Sequence, residues 1–285
     1  MNQLVILRRR SQHSPLTLLI GAAFFVFGTF SSFKSAEAKP KGKPACGANY
    51  LPFYKGEIFE YEWLAPETVA ESPDQAVRSR GLKADWPVKL VIEVKNITGN
   101  NDSATITLSE SYRKRTIETK IHCDLNGFRI SPQSFFFAGE PGGGIGMTLS
   151  NLKQDGPGLP STRDFSRNIG KVWTSFIKAS LTRQPTQGSE SPVVTNGKVE
   201  IDRQLVIGNK ELVTSGLGEH RAYRLTVEIS GRAAVEPAMD KWRDLPLGQL
   251  TIWLAPGVGL VRVHNRYGHG WQLKSFRFPG DDNKK

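Results

Sequence analysis

Only two cysteines, five histidines and three methionines occur in the 285 residues, and the short motifs that mark a catalytic centre are missing. No Gly-x-Ser-x-Gly elbow is present, and Ser215-Gly216 lacks the residues that would precede one. Glu219-His220 does not belong to a His-Glu-x-x-His zinc helix. The run Gly142-Gly143-Gly144-Ile145-Gly146 lacks the Lys-Ser/Thr of a phosphate loop and is not followed by a helical pattern. It reads instead as a flexible connector or lid. A recognised nucleic-acid-binding motif is also lacking, so positive charge alone does not imply a nucleic-acid partner. The longest apolar run, Leu16 to Phe30, is shorter than the ~20 residues of a spanning helix.

What is present at the N-terminus reads as a targeting segment. Arg8, Arg9 and Arg10 form a basic start, the apolar run follows, and Ala36-Glu37-Ala38 offers small residues at a cleavage site. Residues 1–38 are expected to be a signal peptide that delivers a periplasmic or secreted protein. An uncleaved N-terminal anchor is the alternative. Four of the 38 basic and one of the 27 acidic residues lie in this segment, which leaves 34 against 26 and a net +8. Such a surface allows peripheral contact with an anionic membrane. Residues 39–48 open with a Lys/Pro-rich stretch and read as a basic spacer.

Cys46 and Cys123 both survive cleavage, and two thiols in an oxidising compartment are expected to pair. The closed loop spans 77 residues, worth about 4–5 kcal/mol in the chain-entropy model. A catalytic thiol would need a base, and His122 on the same strand points to the opposite face.

Twenty-eight glycines and 17 prolines favour short strands and many turns. Period-2 alternation recurs along residues 49–278. Val88, Leu90, Ile92 and Val94 share one face, and Ala104, Ile106 and Leu108 continue it. The apolar parity changes from even to odd between Tyr112 and Ile117, which predicts a bulge or tight reversal at Arg113-Lys114-Arg115. Asn126-Gly127 predicts a type I′ hairpin. Residues 138–170 look least regular. Val199, Ile201, Leu205 and Ile207 give another strand face, with a turn expected at Gly208-Asn209, and one helical turn is expected within 233–244. Gly56-Glu57-Ile58-Phe59 and Gly170-Lys171-Val172-Trp173 share the order glycine, charged, β-branched, aromatic.

The clearest unit is Gly248 to His264. Leu250, Ile252 and Leu254 alternate with polar or bulky outward residues, Pro256-Gly257 suits a type II turn, and Leu260, Val261 and Val263 return. Arg262 should point outward. His264 and His269 read as ordinary loop histidines, since one-faced metal-ligand spacing is lacking.

The fold class is therefore mainly β and antiparallel, an incomplete (open) β-barrel or two related curved half-sheets, preceded by a signal segment. The halves would be 49–137 and 169–278, joined by a Gly/Pro-rich connector, with a polar tail at 279–285.

Tyr50-Leu-Pro-Phe, Gly170-Lys-Val-Trp, Gly218-Glu-His-Arg-Ala-Tyr-Arg-Leu and Trp253-Leu-Ala-Pro-Gly-Val-Gly-Leu-Val-Arg resemble an uncharacterised family of exported bacterial proteins. That family is similar to YmcC-like periplasmic domains, with an incomplete barrel like the half-barrels of the lipoprotein carriers LolA and LolB. The resemblance implies envelope-associated binding and brings no catalytic residues. No catalytic, cofactor or metal residue is assigned. The first expectation is a non-enzymatic envelope protein holding a lipid or other apolar ligand in the open barrel. The alternative is a structural or interaction protein of the envelope with a filled core and a protein partner, and a hydrolase is the remote third.

Overall fold

The computed structural model describes residues 43–64, 89–112, 115–140, 148–183, 195–245, 248–265 and 270–278. The signal segment, residues 65–88, the glycine run 142–146, His269 and the tail 279–285 lie outside the described residues. The chain divides at residue 39, and everything below concerns the unit from residue 40 onward.

Alternating apolar residues leave most strands one face to bury, and the described strands form a single antiparallel sheet. The first arm contains β1 (Ile58–Leu64), β2 (Lys89–Gly99), β3 (Ala104–Tyr112), β4 (Arg115–Asp124) and β5 (Gly127–Ile130). Two strands follow, β6 (Thr148–Asp155) and β7 (Leu159–Pro160). The second arm contains β8 (Val172–Arg183), β9 (Thr195–Ser215), β10 (Gly218–Val235), β11 (Arg243–Asp244), β12 (Gln249–Ala255), β13 (Gly259–Asn265) and β14 (Gly270–Arg277). Their order is β6-β8-β9-β10-β12-β13-β14-β1-β2-β3-β4-β5-β7, with β11 on β10. β6 and β7 stand at opposite ends and do not pair, so the sheet is an open barrel. The arms join where β14 lies beside β1, paired from Ile58 with Arg277 to Leu64 with Gly270 across a bulge between Glu60 and Tyr61.

The parity change has a simple origin. Tyr112 pairs with Arg115, so every pair on β3 and β4 matches an even number with an odd one: Ile106 with Ile121, Leu108 with Thr119. A tight reversal carries the buried face from even to odd positions. The two glycine-headed segments also share geometry. Gly56 and Gly170 have φ of 81° and 78°, and the β-branched residue two places on begins β1 and β8.

Four local expectations differ from the structure. At 125–126 the hairpin turn is not type I′. Neither residue has positive φ, and the Asp124 carboxylate instead accepts from Asn126 N at 2.7 Å and Gly127 N at 3.2 Å. This side-chain cap selects the turn. Gly208-Asn209 does not turn; β9 runs through it with a bulge opposite Arg224. A Cβ at Gly208 would lie 3.0 Å from the Arg224 carbonyl oxygen, so glycine here permits close backbone approach. The stretch 233–244 has no helix; a turn follows Val235 and β11 pairs back on β10. The 138–170 region contains β6 and β7. β6 has no fully buried residue, so apolar alternation never marked it.

Leu250, Ile252, Leu254, Leu260, Val261 and Val263 are all buried, and β12 pairs with β13 up to Ala255 with Gly259. Val258 N donates to Ala255 O, with Gly257 at φ 74°, as a type II turn requires. Gly257 N also donates to Asn49 O at 2.7 Å, which fixes the turn to the N-terminal segment. A Cβ at Gly257 meets nothing within 4 Å, so Gly257→Val should cost about 1–3 kcal/mol through backbone strain alone. Ile252→Ala should cost about 2–5 kcal/mol and Arg262→Ala should be nearly neutral. Urea midpoints ranking Arg262→Ala as more damaging than Ile252→Ala would show that the faces are misassigned.

Cys46 and Cys123 are bonded, with Cα atoms 6.1 Å apart. The bond ties the buried segment Ala45 to Phe53 to β4. Replacing both cysteines by serine should lower stability by about 2–5 kcal/mol. An unchanged denaturation curve would show that the segment is held by packing alone.

Candidate functional site

The concave side of the sheet is crossed by two short pieces of chain. One is the segment 45–53, where Leu51 and Phe53 are buried and Tyr50 stacks on Phe165 with centroids 5.0 Å apart. The other is α1 (Phe135–Ala138), a single helical turn. Ser134 caps it by accepting from Phe136 N. Its three phenylalanines diverge. Phe135 packs on Tyr61 and Trp271, Phe136 on Phe53, and Phe137 on the guanidinium of Arg203 at 4.9 Å. A strand would have sent the middle ring to the opposite face; a helical turn keeps all three buried.

Between these pieces and the two arms lies a small cavity, with room for about one water molecule. It is lined by Leu51, Ile130, Phe136 and Leu159 on one side and by Ile252, Leu254 and Leu260 on the other, with Arg203 as its one charged residue. Arg203 sits on the inward face of β9, among Val199, Ile201, Leu205 and Ile207, and is 2% exposed. Its Nε and Nη1 have no hydrogen-bond partner in the protein. Burial alone pushes the guanidinium down from 12.5 to about 9, because removing a cation from water disfavours its charged form. Directly across, β8 places Ser175 opposite Arg203 and Trp173 opposite Leu205. Ser175 Oγ and Trp173 Nε1 are also buried without a partner.

A second buried polar group supports α1. Glu110, on the inward face of β3, accepts from Thr119 Oγ1 at 2.8 Å, Ser134 Oγ at 2.7 Å and Phe135 N at 2.9 Å. Burial pushes its carboxyl up to about 7 despite these three donors. Glu57 accepts from Tyr54 N, and burial pushes it up to about 8. Burial, and then the charges of both acids, push the Tyr61 phenol well above its ordinary range. Tyr61 donates to Leu260 O at 3.0 Å.

The residues weighed in the sequence fall elsewhere. His264 lies on the outward side of β13, where Arg262 Nε donates to its Nε2 at 2.7 Å and Trp253 packs edge-on at 5.2 Å. Burial and the Arg262 charge push His264 down to about 4, so it is a neutral acceptor. The Trp253 indole donates to Glu211. Arg262 thus points outward but is engaged with its neighbours. Ser215 Oγ and His220 Nε2 meet at 2.9 Å, and Leu217 N donates to the same hydroxyl at 3.1 Å. The hydroxyl therefore closes the β9–β10 turn.

Arg203, Ser175 and Glu110 were missed as site residues, although the pattern marks each. They stand at inward parity between apolar neighbours: Ile201-x-Arg203-x-Leu205, Trp173-x-Ser175-x-Ile177 and Leu108-x-Glu110. A charged residue inside an apolar face is a stronger signal than a histidine in a loop.

Among the described residues, no helix is long and apolar enough to cross a membrane. No protein-family model matches the chain, and no curated protein sequence matches it. Two solved structures are similar to it, each over 81% of this chain and 99% of the other. One, from Parabacteroides distasonis, is a protein inferred to be a lipoprotein, with 11% identity and a TM-score of 0.47. The other, from Bacteroides fragilis, is a protein inferred to be exported and bears a YmcC-like fold, with 14% identity and a TM-score of 0.46.

Proposed function

We propose that this chain is a non-enzymatic envelope protein, exported by its first 38 residues, whose open sheet binds a lipid or other apolar ligand. The observation that carries this reading is Arg203, a buried cation whose Nε and Nη1 have no hydrogen-bond partner, at the edge of a small apolar cavity between two arms that would have to widen to admit a ligand. Ligand sites of this kind are mostly apolar, with a few polar groups that fix orientation. Export is supported by the basic start, apolar run and Ala-x-Ala order, and by a Cys46–Cys123 bond of the kind that persists in oxidising compartments. The net +8 of the exported chain also suits peripheral contact with an anionic membrane. N-terminal sequencing of the envelope fraction should return Lys39 or a close neighbour; Met1 from membrane-bound material would indicate an anchor.

A second reading has its own support. Phe53, Phe135, Phe136, Phe137 and Phe165 occupy the concavity and are buried, as a structural or partner-binding protein with a filled core would require. A native mass spectrum of the periplasmic protein separates the two. The ligand reading predicts a bound mass of lipid size that is lost on unfolding. A bare polypeptide, with an envelope protein recovered by cross-linking, would favour the filled core.

A further inference from the structure

We propose that one end of the open barrel, formed by the β2–β3, β4–β5, β9–β10 and β12–β13 turns, is the surface by which the chain docks on an anionic lipid membrane. This rests on reading the exported chain as a protein that makes peripheral membrane contact.

Strand register brings the parts of this end together. On one arm Ile58 of β1 faces Arg277 of β14, Gly99 of β2 faces Ala104 of β3, and Asp124 of β4 faces Gly127 of β5. On the other, Ala255 of β12 faces Gly259 of β13, Ser215 of β9 faces Gly218 of β10, and β8 begins at Val172 opposite Val206. In an antiparallel sheet these pairs all lie at the same end of their strands. The N-terminal segment is fixed there too, by the Cys46–Cys123 bond and by Gly257 N donating to Asn49 O.

Single exposed apolar side chains are ordinary on a soluble surface; here they are gathered. Among the described residues six large apolar side chains stand exposed, and four of them, Leu125, Ile169, Val172 and Leu212, lie at this end, 43–63% exposed. Leu125 tips the β4–β5 turn, Leu212 stands near the tip of the β9–β10 hairpin, and Ile169 and Val172 lead into β8. A lipid interface takes up such side chains among its headgroups.

Exposed cations stand among them: Lys43, Lys55, Lys171, Lys210 and Arg221. Lys39 and Lys41 precede Lys43 in the sequence. Several acids at this end are engaged. Glu57 is buried, Asp124 pairs with Arg129 at 3.0 Å, and Glu211 accepts from Trp253. Asp102, Asp155 and Glu219 are exposed. At the opposite end the charges balance more closely: Glu200 pairs with Lys178 and Arg232, and Glu236, Asp240 and Asp244 are exposed near Lys241 and Arg243. Lysines held close to anionic headgroups gain attraction that falls off within a Debye length, so the end that combines cations with exposed apolar groups is the one a membrane selects.

The test is co-sedimentation of the exported protein with vesicles of phosphatidylglycerol and phosphatidylethanolamine, and with vesicles of phosphatidylcholine alone. Native protein should bind the anionic vesicles more tightly. Lys171→Gln with Lys210→Gln should weaken that binding roughly 10- to 30-fold, and Val172→Ser with Leu212→Ser roughly 10-fold. Lys198→Gln with Lys241→Gln, at the opposite end, removes the same charge and should leave binding within about twofold of native. Every substituted side chain is exposed, so urea midpoints should match that of native protein. Native binding unchanged in both variants of this end, or weakened as much by the opposite pair, would overturn the docking surface while membrane contact stands. Equal binding to phosphatidylcholine would overturn the anionic partner. Failure of native protein to bind either vesicle would overturn the membrane-contact reading as well.

Discussion

Arg203→Met is expected to make the protein more stable, by about 1–3 kcal/mol. The guanidinium is buried with two unpaired nitrogens, and its fall from 12.5 to about 9 corresponds to about 3–5 kcal/mol held against the charged native state. The Phe137 ring returns up to about 2 kcal/mol of this through its face. Methionine is long and adaptable enough to fill the same space without a charge. Stability given up at one buried residue is a mark of a site kept for binding. Urea denaturation of ligand-free protein at neutral pH provides the check, and a less stable Arg203→Met would mean that the guanidinium has a native partner.

The second large effect is on pH dependence. Glu110 and Glu57 have carboxyls raised to about 7 and about 8, against 4.5 when exposed. A raised acid favours the folded state in its protonated form. That contribution is complete below about pH 4.5 and is lost as pH climbs through 7 and 8. Each group should therefore withdraw on the order of 3 kcal/mol between pH 5 and pH 9. Glu110→Gln should remove its share of the slope while keeping an oxygen for Thr119, Ser134 and Phe135 to donate to. Glu110→Ala should cost about 3–5 kcal/mol at pH 5, because it orphans those buried donors and releases the start of α1, and less at pH 9, where the ionised carboxylate already opposes folding in the native protein. Denaturation midpoints that stay level from pH 5 to pH 9 would refute the burial assigned to both acids.

Much of this architecture is written in the alternation of the chain. Leu90, Ile92 and Val94 on β2, and Leu250, Ile252 and Leu254 on β12, are buried as their spacing requires. What escaped the sequence has physical causes. β6 is an edge strand with both faces near water, so nothing forced it to alternate. Gly208 signals a turn and a bulge equally well until its partner strand is known, and the partner is Arg224. Phe135-Phe136-Phe137 reads as an apolar run, yet its helical turn depends on Glu110, 25 residues earlier, reaching the Phe135 amide. The Arg203 cluster required two strands in register, because neither Trp173-x-Ser175 nor Arg203 alone shows that Ser175 stands opposite Arg203.

The most direct measurement is the crystal structure of the protein purified from the periplasm without delipidation. The account predicts continuous density for a lipid or other apolar ligand between the two arms beside Arg203, with Leu51 and Phe136 displaced to admit it. Density for water alone against Arg203, with Phe136 and Leu51 closed over it, would contradict the account.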